Sequence, residues 1–227
     1  MTRPVNLPPI TPDTALVAQP AVRRRNDPQK TRENILDVAL AEFVEHGLSG
    51  ARVDAIAERT RTSKRMIYYY FESKENLYLK VLERFYAGIR TSESQLHLAG
   101  LEPREAIRRL VEFTFDHHSA HRDFVRIICI ENIHRGEYVR RSARVRSMTN
   151  EVLETLGETL RRGEDAGVFR IGLNPLDVHL FINSFCFYRN SNIHTINYVF
   201  DIDLDDQAIL SRHRELICDA VLRYLQV

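Results

Sequence analysis

TSKRMIYYYF, residues 62–71, holds two cations, three consecutive tyrosines and a closing phenylalanine, with no glycine and no acid. It reads either as a buried aromatic strand or as a surface that meets something charged. Its pattern favours a short helix. Ser63 is a suitable N-cap, because its hydroxyl can accept from an otherwise free backbone N–H. Ile67 and Phe71, four residues apart, form one apolar stripe that holds the helix to a core. Successive helical residues turn by about 100°, so three tyrosines in a row cannot all face inward. Lys64, Arg65, Tyr68 and Tyr69 therefore point outward, and Tyr70 falls between the two sides.

The flanking sequence extends this reading. Upstream, Thr31 to His46 places Ile35, Leu36, Ala39, Leu40 and Phe43 on one helical face, and Gly47 ends it. A short helix over Val53 to Arg59 turns Val53, Ile56 and Ala57 inward, with Ala57 small enough for a second helix to cross closely. Downstream, Glu72-Ser73-Lys74 breaks the pattern, and Ser73 can cap a long helix carrying Leu77, Val81, Leu82, Phe85 and Ile89. A longer helix followed by two short ones joined by a tight turn is a helix-turn-helix. No convincing alternating strand occurs anywhere, so the fold class is all-α.

Composition sets the wider frame. With 227 residues, 44% of them apolar and 28% charged, the chain can bury a substantial core. No apolar run reaches the ~18 residues of a membrane span, and MTRPVNLPPI at the N-terminus lacks the apolar centre of a signal peptide; a cytoplasmic location is expected. Cys129, Cys186 and Cys218 are far apart and match no zinc spacing, which fits reduced thiols. The net charge is only +1, but it is unevenly spread: residues 22–90 hold 14 Lys+Arg against 10 Asp+Glu, and residues 91–227 hold 17 against 20. Such asymmetry points to a polyanion-binding part joined to a near-neutral one. Six of the eight prolines fall in residues 1–28, so residues 1–27 read as a disordered tail. It ends near Arg23-Arg24-Arg25, either a solvated charge run or an arm lying along DNA.

The run Val38-Ala39-Leu40, Phe43, Gly47, Val53-Asp54-Ala55-Ile56-Ala57, Thr62-Ser63-Lys64, Ile67-Tyr68-Tyr69-Tyr70-Phe71 and Ser73-Lys74-Glu75-Asn76-Leu77 resembles the DNA-binding domain of the tetracycline-repressor (TetR) family. The match covers about 50 residues in order and spacing. It departs from the family at Arg52, where threonine is usual, and at Arg61, where glycine is usual; glycine would suit a left-handed backbone that arginine adopts at a cost. The resemblance implies a helix-turn-helix domain over residues 28–73 and a helical effector-binding and dimerisation domain over residues 74–227. It implies a homodimer on palindromic double-stranded operator DNA, and a repressor released by a small organic effector.

The residue chemistry fits DNA contact. Arg65 suits bidentate pairing with guanine, Lys64 a guanine or a phosphate, and Met66 a thymine methyl. Tyr68, Tyr69 and Tyr70 can donate to phosphates and stack on sugars, which positions the helix more than it specifies sequence. Ser63, Arg52 and Lys74 are expected phosphate contacts, Lys74 beside the free N–H groups of a helix start.

In the larger part, Pro103 starts a helix through Ile107, Leu110, Val111 and Phe115 to His117-His118. Segments over Asp123–Arg135 and about Tyr138–Arg162 follow, the latter ended by Gly163 and Gly167. Asn174-Pro175 opens a helix that is apolar nearly all round, and Asp205 to Tyr224 carries a packing seam. Two such helices per chain can form a four-helix bundle with a second copy. For an effector pocket the sequence offers His117, Asn132, Asn183 and Tyr188 among Phe113, Met148, Phe181 and Phe187; each is also a plausible core or interface residue. An aromatic or modestly polar effector is expected. His117, His118, His121 and His134 form no complete ligand set, so no metal or cofactor is expected. Nucleophile-elbow, phosphate-loop and acid–base signatures are absent, which leaves an enzyme on a related fold without support. A regulator without a small-molecule effector stays open.

Overall fold

The computed structural model describes residues 27–227, so the expected tail with its arginine triplet lies outside the described residues apart from Asp27. The described chain is built of α-helices and two short 3-10 turns. Helix α1, Pro28–Gly50, opens with Asp27 accepting from the N–H groups of Gln29 and Lys30. Its regular geometry breaks at Gly47, whose φ of 67° is a left-handed value that glycine adopts freely. Helices α2 (Val53–Thr60) and α3 (Lys64–Phe71) follow, and Ser63 caps α3 by accepting from the Met66 N–H at 3.2 Å. Ser73 caps the long α4 (Lys74–Ser94) in the same way, accepting from Asn76 at 3.0 Å.

Helices α1 to α3 close around Ile35, Ala39, Phe43, Ile56, Ile67 and Phe71, all fully or almost fully buried. Each such aromatic or aliphatic side chain contributes roughly 1.5–3 kcal/mol on leaving water. This head is not sealed at residue 73. Its core continues through Leu77, Tyr78, Val81 and Leu82 of α4 and takes in Ile127 of α6, Arg122–Ile133. Phe43 and Tyr138 meet the Tyr78 ring edge-on at 5.2 and 5.3 Å. Burial pushes the Tyr78 hydroxyl well above the usual tyrosine range, so it stays neutral.

The remaining helices are α5 (Pro103–Ala120), α7 (Ala143–Asp165), α8 (Pro175–Ser191), α9 (Ile193–Phe200) and α10 (Gln207–Leu225). Helices α5, α7, α8 and α10 share a second core around Ile107, Val111, Phe115, Leu160, Val178 and Val221. Pro103 and Pro175 sit at their helix starts, as expected. Gly163 does not end α7. It lies within the helix, and a Cβ there would stand 1.9 Å from the Phe169 ring, so glycine is needed for close packing. The helix α9 has no counterpart in the sequence reading. The three cysteines are free thiols; burial pushes Cys186 up to about 12 and Cys218 up to about 11, which keeps both unreactive.

Candidate DNA-binding face and interior cavity

The outward side of α3 carries the groups that the sequence places there. Tyr69 is 76% exposed, Tyr68 44% and Met66 36%, and Lys64 and Arg65 also face solvent, while Ile67 and Phe71 are buried. Tyr70 differs from its neighbours. It is half-buried, packs against the head core, and meets Tyr69 edge-on at 5.4 Å. Its ring serves packing more than contact.

The structure adds partners that the sequence reading did not foresee. Lys64 ion-pairs with Asp54 of α2, both about half exposed, so this cation is tethered across the helix-turn-helix, while Arg65 in the same turn is exposed and makes no ion pair among the described residues. The Lys74 ammonium donates to the carbonyls of Ser49 (3.4 Å) and Ala51 (3.2 Å). It thus latches α4 to the end of α1, and one of its three donors stays available. Arg52 is exposed and gives α2 no side-chain cap, leaving the first N–H groups of that helix uncommitted by its side chain. Instead the buried Glu42 accepts from the Arg52 backbone N–H at 3.0 Å and lies 3.7 Å from the Arg59 guanidinium. This carboxylate pins the start of α2, and its only sequence signal was an acid near the end of an apolar stripe.

Arg61 occupies the turn in the left-handed conformation, φ 52° and ψ 37°. Its N–H bonds to Glu58 and the next N–H, of Thr62, to Ala57 at 3.0 Å, which is a Schellman end to α2. The turn is therefore built as glycine would build it, and arginine bears the steric cost.

Behind the head lies a cavity of about 180 Å³ between α4, α5, α6 and α8. Of the eight proposed pocket residues, Phe113, His117, Asn183 and Phe187 line it. The other four do not. On α8 the stripe His179–Asn183–Phe187 faces the cavity, and the neighbours of that stripe are turned away by helical rotation. Tyr188 is 60% exposed on the outer side, and Phe181 instead meets Tyr224 of α10 edge-on at 5.3 Å. Asn132 lies exposed near the end of α6 with its amide donating to the Ile128 carbonyl, and Met148 is half-buried on α7 away from the lining. The sequence reading missed Tyr86, Arg90, Glu93, His118, Phe124 and His179, whose convergence depends on how α4 crosses α5 and α6. His179, one turn before Asn183, was legible as part of the same stripe.

The lining is aromatic and largely uncharged. His118 stacks on Phe124 at 6.0 Å, and His117 on His121 at 4.2 Å. Burial holds both His117 and His118 down to about 4, with the neighbouring histidines acting in the same direction, so both are neutral near pH 7. Arg90 ion-pairs with Glu93 at one wall. Burial raises the Glu93 carboxyl above its usual range.

Known proteins match both the head and the larger helical part of the chain. The family model "Bacterial regulatory proteins, tetR family" matches residues 35–81, and "Tetracyclin repressor-like, C-terminal domain" matches residues 103–221. The HTH-type transcriptional repressor NicS of Pseudomonas putida is 36% identical over 203 residues, covering 89% of this chain and 96% of the relative. The HTH-type transcriptional repressor SCO4008 of Streptomyces coelicolor is 33% identical over 110 residues, or 48% of this chain and 54% of the relative. Among solved structures, the transcriptional regulator SCO4942 of the same organism superposes with a TM-score of 0.64 at 28% identity, covering 86% of this chain and 98% of that one. This chain therefore belongs to the tetracycline-repressor family of transcriptional regulators, proteins that bind operator DNA as dimers and are not enzymes.

Proposed function

We propose that this protein is a cytoplasmic repressor that holds a palindromic operator as a homodimer and is released by a small organic effector bound in the α4–α5–α6–α8 cavity. One observation carries the reading. Helix α6 lines the cavity with Phe124 and Ile128, and its Ile127 is fully buried in the core of the DNA-binding head. A ligand that moves α6 therefore disturbs the packing behind the recognition helix. Two recognition helices must sit about one DNA turn apart, ~34 Å, or a multiple of it, to read a palindrome. An effector that binds better to a conformation with another spacing shifts the population away from DNA, and equal affinity for both conformations shifts nothing.

The exposed face of α8 and α10 supports a dimer. Leu176, Leu180 and Tyr188 on α8, and Leu216 and Tyr224 on α10, are large apolar groups in contact with solvent, and they lie where a four-helix bundle with a second copy would cover them. No helix among the described residues is long and apolar enough to cross a membrane.

The test is a fluorescence-anisotropy titration of the protein on DNA from its own promoter region, with and without small metabolites that raise its melting midpoint. Release from DNA by a stabilising metabolite is the expected result. Tight operator binding that no stabilising compound relieves would leave a regulator without an effector, and a strictly monomeric protein in light scattering would defeat the dimer.

A further inference from the structure

Two cavities open along α4 and α5. Besides the histidine chamber of about 180 Å³, a second one of about 310 Å³ is lined by Leu98, Leu110, Val152 and Leu156, with Ser94, His97, Glu151 and Thr155 at its exposed edge. Arg90 and Glu93 border both. Leu110 of one chamber and His118 of the other lie eight residues apart on α5, which is ~12 Å along the helix axis. Small-molecule sites generally measure ~300–1,000 Å³; the histidine chamber falls short alone, and the two together come to about 490 Å³.

The chambers differ in chemistry. The first is walled by flat rings, among them Tyr86, Phe113, Phe124 and Phe187, and the second has an aliphatic floor of leucines and Val152 beneath an exposed polar rim that includes His97 and Glu151. Between them the Arg90–Glu93 pair is largely buried, at 19% and 15% side-chain exposure. The pair engages a terminal guanidinium nitrogen, and the buried Arg90 Nε has no acceptor among the described residues. A buried donor left unsatisfied is destabilising until something accepts from it. Glu93 already balances the arginine charge, and no further carboxylate or cation lines the histidine chamber, so an anion would find no uncompensated partner there. The low affinity of His117 and His118 for protons agrees with an uncharged occupant.

Resting on the effector reading above, we propose that the two chambers form one binding site for an elongated, uncharged molecule. Its flat ring occupies the histidine chamber, its short alkyl tail the leucine chamber, and an ester or ketone oxygen between them accepts from Arg90 Nε once a turn of the arginine side chain presents that buried atom to it. The ligand satisfies the orphaned donor, and each half matches the chamber that takes it.

The experiment is calorimetric titration of the full-length protein with methyl benzoate, butyl benzoate and pentylbenzene. Butyl benzoate should bind at least tenfold more tightly than methyl benzoate, which lacks the tail, and than pentylbenzene, which lacks the oxygen. Val152→Phe, at a half-buried position of the leucine chamber only, should erase the advantage of the longer ester and leave methyl benzoate binding unchanged. Arg90→Lys, which keeps the charge and removes Nε, should erase the advantage over pentylbenzene. Equal affinity for the two esters in the native protein overturns the joined site, whether or not either variant folds. Chain-length dependence that survives in folded Val152→Phe overturns it as well. Failure of all three compounds to bind overturns the ligand class and the proposal with it, whereas the effector reading falls only if the broad metabolite screen also yields no release from DNA.

Discussion

The recognition face and the histidine chamber use the same materials, aromatic rings beside cations, in opposite surroundings. Lys64, Arg65, Tyr68 and Tyr69 stand in water. Their charges are screened there, and the half-exposed Lys64–Asp54 pair is of a kind worth ~0–1 kcal/mol. Arg90, His118 and Phe124 lie in the interior, where an unpaired polar atom or an added proton is costly. The first surface can be altered with little effect on folding, because its exposed side chains bury little area against the core. The second cannot, because its residues bear on stability before any ligand arrives.

Substitutions can break or sharpen this contrast. The largest effect belongs to the inward side of α3: Phe71→Ala empties a fully buried site and should cost ~3–5 kcal/mol, lowering the midpoint of denaturant unfolding and abolishing operator binding together. Arg65→Ala, on the outward side, should leave the unfolding midpoint unchanged yet weaken operator binding by ~1–3 kcal/mol and relax specificity at one base pair. Loss of stability in that variant would blur the two faces.

The chamber should announce itself through pH. The unfolded chain takes up protons at its histidines below about 6.5, whereas folded His117 and His118 resist protonation until about pH 4. The unfolded state therefore binds more protons in that window, and stability should fall by roughly 1–3 kcal/mol as pH drops from about 6.5 to about 4, after discounting for the half-exposed His117. His118→Phe should flatten this slope in urea titrations at successive pH values, and an unaltered slope would remove His118 from the account. The smallest effect lies in the turn. Arg61→Gly relieves an L-residue held at φ 52° and should stabilise the head by about 1 kcal/mol, read as a rise in melting midpoint. Destabilisation would show that the Arg61 side chain compensates for its backbone.

The head was far more legible in the sequence than the cavity. The caps Ser63 and Ser73, the stripe Ile67–Phe71 and the small Ala57 act over one to four residues, and all stand where local pattern placed them. The left-handed turn at residue 61 was legible too, through the glycine expected there. The partners of Lys64 and Lys74 were not, since Asp54 and the Ser49 and Ala51 carbonyls are 10 to 25 residues away. In the cavity, Phe113, His117, Asn183 and Phe187 were named as polar groups among apolar walls, and the structure sets them as two i, i+4 pairs, one on α5 and one on α8. Phe181 and Tyr188 were misplaced because α8 is apolar nearly all round, so its composition names no single inward face. Gly163 looked like a helix end and is instead a contact with Phe169.

Sequence alone determined the all-α class, the helix-turn-helix and its outward cations, because helical period, capping and turn chemistry are short-range forces written in neighbouring residues. Tertiary structure decided which faces of α4, α5, α6 and α8 converge, that Arg90 and Glu93 stand between two chambers, and that Ile127 ties α6 to the head. Those outcomes depend on the angles at which helices cross, and crossing angles follow from the packing of whole side-chain surfaces.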